Sequence, residues 1–331
     1  NTPIRSVGTV QDITVRKIAD EKAVKLASIV EFSNDAIISK TLEGIITSWN
    51  KGAEKIYGYG ENEMIGKSIS VIIPSEYLDD LEIIYNKVSV GEMIKNFETV
   101  RLKKDGQKID VSLTVSPVFD ENKNIINISV IARDISEQKR NDAINASRLH
   151  LIHFAATHSI NELLEETLNE AEKLTGSCIG FYHFVEDDQE SITLQEWSAR
   201  TKTEFCEAEG KGLHYSISDA GVWVDCIKQR KPMIHNDYAS LPHRKGLPEG
   251  HAEVIRELVL PVLRGDKITA ILGVGNKPSD YTEKDIEAVS LIANLAWEIA
   301  EKKLVDNALR ESEEKYRTLI QKIQAAVIVH G

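Results

Sequence analysis

A chain of 331 residues is too long for one ordinary hydrophobic core and calls for two or three compact units. Its apolar and charged fractions, 42% and 28%, are those of globular proteins and exclude wholesale disorder, while a formal charge of −12 with dispersed Lys and Arg argues against nucleic acid as a partner. The first residues lack the basic-then-apolar pattern of a secretory signal, so a cytoplasmic location is expected.

A repeat organises the chain. Residues 8–17 read GTVQDITVRK and residues 128–140 read ISVIARDISEQKR, two apolar runs that end alike in Asp-Ile-Thr/Ser and a basic residue. The beginnings match too: LASIVEFSNDAIISK from Leu26 is echoed by YRTLIQKIQAAVIVH from Tyr316. The chain therefore reads as the end of one module, a complete module, a different unit, and the start of another copy.

Within the complete module, Ala36–Ser39 leads through Leu42-Glu43-Gly44 into Ile45–Trp49, a short hairpin. Asn50 is placed to cap the next helix, and Gly58 to end it. Pro74 and Ser75 open a helix with Leu78, Leu81, Ile84 and Val88 on one face. Asp105-Gly106 stands between two alternating runs, the strongest short hairpin signal, and a last strand over Ile125–Ala132 follows. These residues resemble a PAS domain with its C-terminal PAC motif, carried by DAIISKTLEGIITSWNKGAEKIYGYGENEMIGKSI and the VIARDISEQKR ending. The resemblance implies a small sensory module able to enclose a ligand, with Trp49 and Tyr57 as candidate pocket residues. Residues 1–149 contain neither His nor Cys, which removes the usual haem ligand and the thiol of a flavin adduct.

Glu137–Leu151 is a charged segment without Gly or Pro, and it reads as a linker helix. Ser159 with Glu162 forms a capping box before a helical apolar pattern that ends at Gly176. Strands are expected at Cys178–Val185, Ile192–Trp197, Leu258–Leu263 and Ile268–Val274, followed by a helix capped by Thr282. Its most apolar stretch, Ala288–Ala300, is interrupted by Ser290, Asn294 and Glu298 and falls short of the roughly 18–20 apolar residues a membrane helix needs. The segment from Ala220 to Glu287 resembles the GAF variant of archaeal and bacterial sensor kinases. Asn276, Lys277, Tyr281 and Asp285 echo the NKFDE motif of cyclic-nucleotide GAF domains, but Tyr replaces Phe and Ile286 stands in place of the final Glu, so a structural role is expected.

All three cysteines, Cys178, Cys206 and Cys226, and every His except His330 fall between residues 150 and 303. Three chemistries compete for them. The resemblance implies a haem or redox site with His251 or His235 as ligand and Cys206 as second ligand or tether. The alternatives are zinc held by Cys206, Cys226, His235, His243 and His251, at irregular spacings, and a thiol-dependent redox enzyme of GAF fold. Against all three stands a plain reading in which Cys178 and Cys226 are core thiols and several of the imidazoles lie at the surface.

Beyond the last expected strand, Val305, Leu309, Ser312, Tyr316, Leu319 and Ile323 follow alternating four- and three-residue steps, a short coiled-coil seam competing with a helix packed on its own sheet. No phosphate-cradling loop or phospho-accepting motif is present. The expectation is an α+β chain with the end of a PAS module at 1–20, a complete PAS/PAC module at 21–140, a GAF module at 141–303, and a linker helix with the start of another PAS module at 304–331. The resemblance implies the sensory region of a two-component histidine kinase, a homodimer through its linker helices, acting on a downstream kinase domain and response regulator. The alternative is a dimerisation scaffold that binds no ligand.

Overall fold

The computed structural model describes residues 12–205, 214–217, 220–242 and 253–329, and the chain divides after Arg140 into two compact units. Both are α+β, each built on one antiparallel sheet.

The first unit starts with α1 (Thr14–Glu31), which has no buried residue. The hairpin β1 (Ala36–Lys40) and β2 (Ile46–Trp49) follows, and Gly44 takes a left-handed φ of 86° in its turn. Next come α2 (Lys51–Tyr57), α3 (Glu61–Met64) and α4 (Asp79–Val88). The helix expected from Pro74 instead begins with a single 3-10 turn over Ser75–Tyr77, and α4 starts where Asp79, Asp80 and Glu82 load its first turn with negative charge. Ile84 and Val88 are buried as expected, whereas Leu78 stands exposed. The strands β3 (Ile94–Leu102), β4 (Lys108–Phe119) and β5 (Ile125–Asp134) complete a sheet in the order β2-β1-β5-β4-β3.

Asn50 ties this unit together. Its Oδ1 accepts from Ala53 N and Ile37 N, both at 2.9 Å, while Nδ2 donates to Val30 O at 2.8 Å and Asp35 O at 3.2 Å. One side chain thus caps α2, holds β1, and fixes the chain leaving α1. Gly52, on the first turn of α2, packs so closely that a Cβ there would lie 2.2 Å from Asp35 O.

Helix α5 (Ser136–Thr157) starts in the first unit and runs on into the second, which continues with α6 (Ile160–Thr175), whose capping box forms with Ser159 Oγ accepting from Glu162 N and Glu162 accepting from Ser159 N. The strands are β6 (Ile179–Val185), β7 (Ser191–Trp197), β8 (His214–Ser216), β9 (Met233–His235), β10 (Glu257–Arg264) and β11 (Lys267–Gly275), with the short α7 (Asp225–Gln229) before β9. The sheet order is β8-β7-β6-β11-β10-β9. One face, with Tyr182, Leu258, Leu260, Leu272 and Val274, packs on Leu151, Leu164, Leu168, Val289 and Ile292 of the long helices. The other face, with Val185, Val259, Ile268 and Ile271, packs on Val224, Cys226 and Ile227 around α7.

The final helix, α8 (Glu283–Val329), begins differently from expectation. Thr282 Oγ1 and N both donate to Asp285 Oδ2, so the carboxylate caps the turn and the hydroxyl does not. From residue 304 to 320 α8 leaves its own core: Val305, Leu309, Tyr316 and Leu319 are each more than half exposed. The alternative in which this stretch packs on its own sheet is thereby set aside. Residues 326–329, which align with Ala36–Ser39 in the repeat, form the last turn of α8. Among the described residues no helix is long and apolar enough to cross a membrane.

Candidate functional site

In the second unit the period-2 alternation of β6 sends Phe181, His183 and Val185 to the face opposite Tyr182. Gly273 on β11 lies directly across from Phe181, and a Cβ there would stand 2.1 Å from Phe181 Cζ, so only glycine lets the ring lie over the strand. The Phe181 ring meets His183 at 5.4 Å, Trp197 at 6.2 Å and Trp223 at 5.8 Å, all edge-on. Trp223, from the 3-10 turn Val222–Val224, also covers the His183 imidazole at 4.7 Å. Burial pushes His183 down to about 3, so the ring stays neutral near pH 7.

At the sheet edge the register pairs His235 on β9 with Glu257 on β10. His235 Nδ1 lies 2.9 Å from Glu257 Oε1, and both side chains are buried. Burial pushes the Glu257 carboxyl up, and the bond to His235 partly opposes it. Cys226 Sγ donates to Trp223 O at 3.5 Å, and burial, with Glu257 and Asp225 nearby, holds the thiol far above its ordinary range. Cys226 is therefore a protonated core thiol, unlike the thiolate a redox nucleophile requires. This face therefore combines aliphatic residues such as Val185, Val259, Ile268 and Ile271 with a close-packed cluster of Phe181, His183, Trp197 and Trp223, and carries a hydrogen-bonded imidazole and carboxyl at its edge.

Of the residues expected to bind a cofactor, His235 is the one described; Cys206 and His251 lie outside the described residues. So does His243, which leaves Cys226 and His235 from the zinc set. Cys178 is half-buried. The NKFDE-like residues bond to the fold: Lys277 Nζ reaches both Asp285 oxygens at 2.8 Å, Asn276 accepts from Ile255 N, and the Tyr281 hydroxyl pairs with Ser177 at 2.6 Å. On α5 and α6, His150, Glu166 and Glu170 bring ligand-type atoms within 4.8 Å of one another. His150 Nε2 already bonds Glu166 at 2.6 Å, and Glu170 is held by Ser147 and Lys173, so the group joins two helices.

In the first unit Trp49 and Tyr57 are both in the core, tilted against each other at 5.4 Å, and Trp49 Nε1 donates to Tyr59 O at 3.0 Å. Tyr57 lines an internal cavity of about 20 Å³ together with Ile38, Leu113, Val130, Lys40 and Arg101. That volume accommodates a water molecule and little more. Lys40 also lines a larger, outward-opening cavity of about 280 Å³. Arg101 Nη1 donates to Asp80 Oδ2 at 3.1 Å and Thr99 Oγ1 at 2.9 Å, a network carried by β3 and α4.

Residues 34–137 match a family model described as a PAS domain, and residues 157–301 match one described as a GAF domain. The chain carries a PAS domain followed by a GAF domain. A methyl sulfide methyltransferase-associated sensor of Methanosarcina acetivorans is 30% identical over 299 residues, which are 88% of this chain and 30% of the length of that protein. Among solved structures, a PAS domain from Colwellia psychrerythraea is 29% identical and covers 35% of this chain and 98% of its own, with a TM-score of 0.31. The PAS domain of an HTR-like protein from Haloarcula marismortui is 27% identical, covers 37% and 98%, and has a TM-score of 0.32. The GAF domain of a Coxiella burnetii phosphoenolpyruvate-protein phosphotransferase is 15% identical, covers 50% and 96%, and has a TM-score of 0.42.

Several side chains that shape the two interiors escaped the reading of the sequence. In the PAS domain these are Lys40, Thr99 and Arg101, and in the GAF domain Phe181, His183, Trp223 and Glu257. For Lys40 and His183 a signal existed: each continues the inward-facing alternation of its strand, Ala36-Ile38-Lys40 and Phe181-His183-Val185.

Proposed function

We propose that this chain is the sensory and relay region of a sensor protein that works as a homodimer and hands its signal through α8 to a downstream histidine kinase domain. The observation that carries the reading is the apolar stripe of α8. Val305, Leu309, Tyr316 and Leu319 are spaced at alternating three- and four-residue steps, apart from the serine at 312, and each is exposed. Such a stripe on a helix continuous with a domain core is matched by the same stripe on a second copy. The relative from Methanosarcina acetivorans, described as a sensor, supports the signalling role, and the buried, hydrogen-bonded His235 at the edge of the GAF sheet is the side chain that favours a small ligand or redox cofactor there. For haem, His235 has suitable chemistry: Glu257 at Nδ1 orients the ring and would favour a metal-bound Nε2. There the haem would supply redox and gas-binding chemistry, with Cys206 and His251 as the further candidate ligands.

The test is the mass of the chain by light scattering. The wild-type chain is expected at twice its monomer mass at micromolar concentration, and Leu309→Glu with Leu319→Glu as a monomer with unchanged circular dichroism. A wild-type monomer at all concentrations overturns the dimer. An absorption spectrum after incubation with haem, oxidised and reduced, tests the cofactor: a Soret band weakened by His235→Ala supports it, and no uptake of haem removes it.

A further inference from the structure

Lys40 occupies an unusual place. It ends β1 on the inward alternation, is 5% exposed, and lines both PAS cavities. Its Nζ has no hydrogen-bond or ion-pair partner among the described residues, whereas Arg101 beyond it is paired with Asp80. The side chain is almost buried and its ammonium keeps only a small solvent contact, so it is desolvated with no opposite charge among the described residues to offset the cost. Beside it opens the cavity of about 280 Å³, walled by Leu42, Ile69, Leu81, Ile84 and Ile128. Its rim carries the exposed carboxylates Glu43 and Glu82.

We propose that the PAS domain binds a small monocarboxylate with an apolar tail, its carboxylate paired with Lys40 and its tail against the isoleucine and leucine walls. The volume lies just below the roughly 300–1,000 Å³ of common small-molecule pockets, which keeps the ligand short. The cation selects an anion, and the acidic rim repels a second negative charge, so dicarboxylates are disfavoured. Burial, and Arg101 beyond it, lower the Lys40 ammonium to about 8. The other ionisable groups facing it are Glu43 of the turn, Glu82 and Tyr85 of α4, and Tyr57 of α2. Of these, Glu43 is held ionised and Tyr57 is pushed far up by burial, so Lys40 is the group expected to switch the site as pH rises through about 8. This ligand class rests on the sensory reading above and gives it a chemical input.

The test uses the whole chain, titrated by calorimetry at pH 7 with sodium butyrate, disodium succinate and n-butanol. Butyrate is expected to bind, and succinate and butanol to bind at least about tenfold more weakly, the scale of one lost charge-assisted hydrogen bond. Lys40→Met is expected to fold and to lose butyrate by a similar factor, and wild-type affinity to fall above about pH 8. Equal binding of butyrate by Lys40→Met, equal binding of butanol, or no binding of butyrate overturns the proposal. The ligand series in the wild-type chain decides the matter even if the variant fails to fold. Light scattering on the same samples separates the two readings: a dimer that ignores butyrate sinks only the ligand, and a monomer that binds it sinks only the dimer.

Discussion

At the residue scale, the two interiors are defined by side chains in places where their chemistry is costly. Lys40 is charged and buried in the PAS core, and its ammonium is lowered from 10.5 to about 8. In the window between those values the unfolded chain holds a proton that the folded chain has released, so stability rises with pH there and the penalty is complete below about 8. Lys40→Met is therefore expected to stabilise the PAS domain at pH 7 by about 3 kcal/mol, a gain that shrinks toward pH 10.5. Urea denaturation at pH 7 and pH 10 reads this directly; a gain independent of pH would show that packing, and not charge, is responsible. Gly273 is the corresponding point in the GAF domain. Gly273→Ala drives a methyl into the Phe181 ring and is expected to destabilise the GAF domain by about 1–3 kcal/mol. Gly273→Ala combined with Phe181→Leu should recover part of that loss in the same melts, and no loss in the single variant would mean that the ring moves aside freely.

At the element scale, several local signals in the sequence match the structure where the backbone needs a specific residue, while the expected Thr282 cap does not. Asp105-Gly106, with Gly106 at φ 83°, turns β3 into β4, and the Ser159–Glu162 box and Gly176 delimit α6. Asn50 was legible as a cap, but its bonds to Ile37, Val30 and Asp35 were not, since those partners come from other elements. Asn50→Ala is expected to cost about 2–4 kcal/mol, more than a cap alone, because buried backbone groups lose their partners. Asn50→Asp keeps the acceptor and turns the donor into a carboxylate facing two carbonyls, so it should not rescue the melt of the PAS domain. Recovery by Asn50→Asp would reduce the residue to a plain cap. The start of α4 shows the limit of such reading. Pro74 marks a beginning, yet the α-helix proper waits for the acidic turn at Asp79.

At the scale of the whole molecule, the chain alternates compact domains with long helices, and α8 carries an unburied apolar stripe away from the GAF core. If the helix transmits a signal by the register of that stripe, inserting two residues after Asn307 rotates everything beyond it by roughly 200°. If α8 leads to the proposed kinase domain, the expected outcome is altered output of the full-length protein with unchanged melting of the PAS and GAF domains. Unchanged regulation would remove the helix as the transmitting element. Composition, repeat and turn chemistry were enough to expect the α+β class and the order of the modules, because strand alternation, caps and glycine turns are written locally, while the PAS and GAF resemblances rested on longer motif segments. What faces what was decided by tertiary structure alone. Trp49 and Tyr57 pack as core, Lys40 is left facing a cavity, and His235 is locked to Glu257, because each contact depends on strand register and on residues distant in the chain.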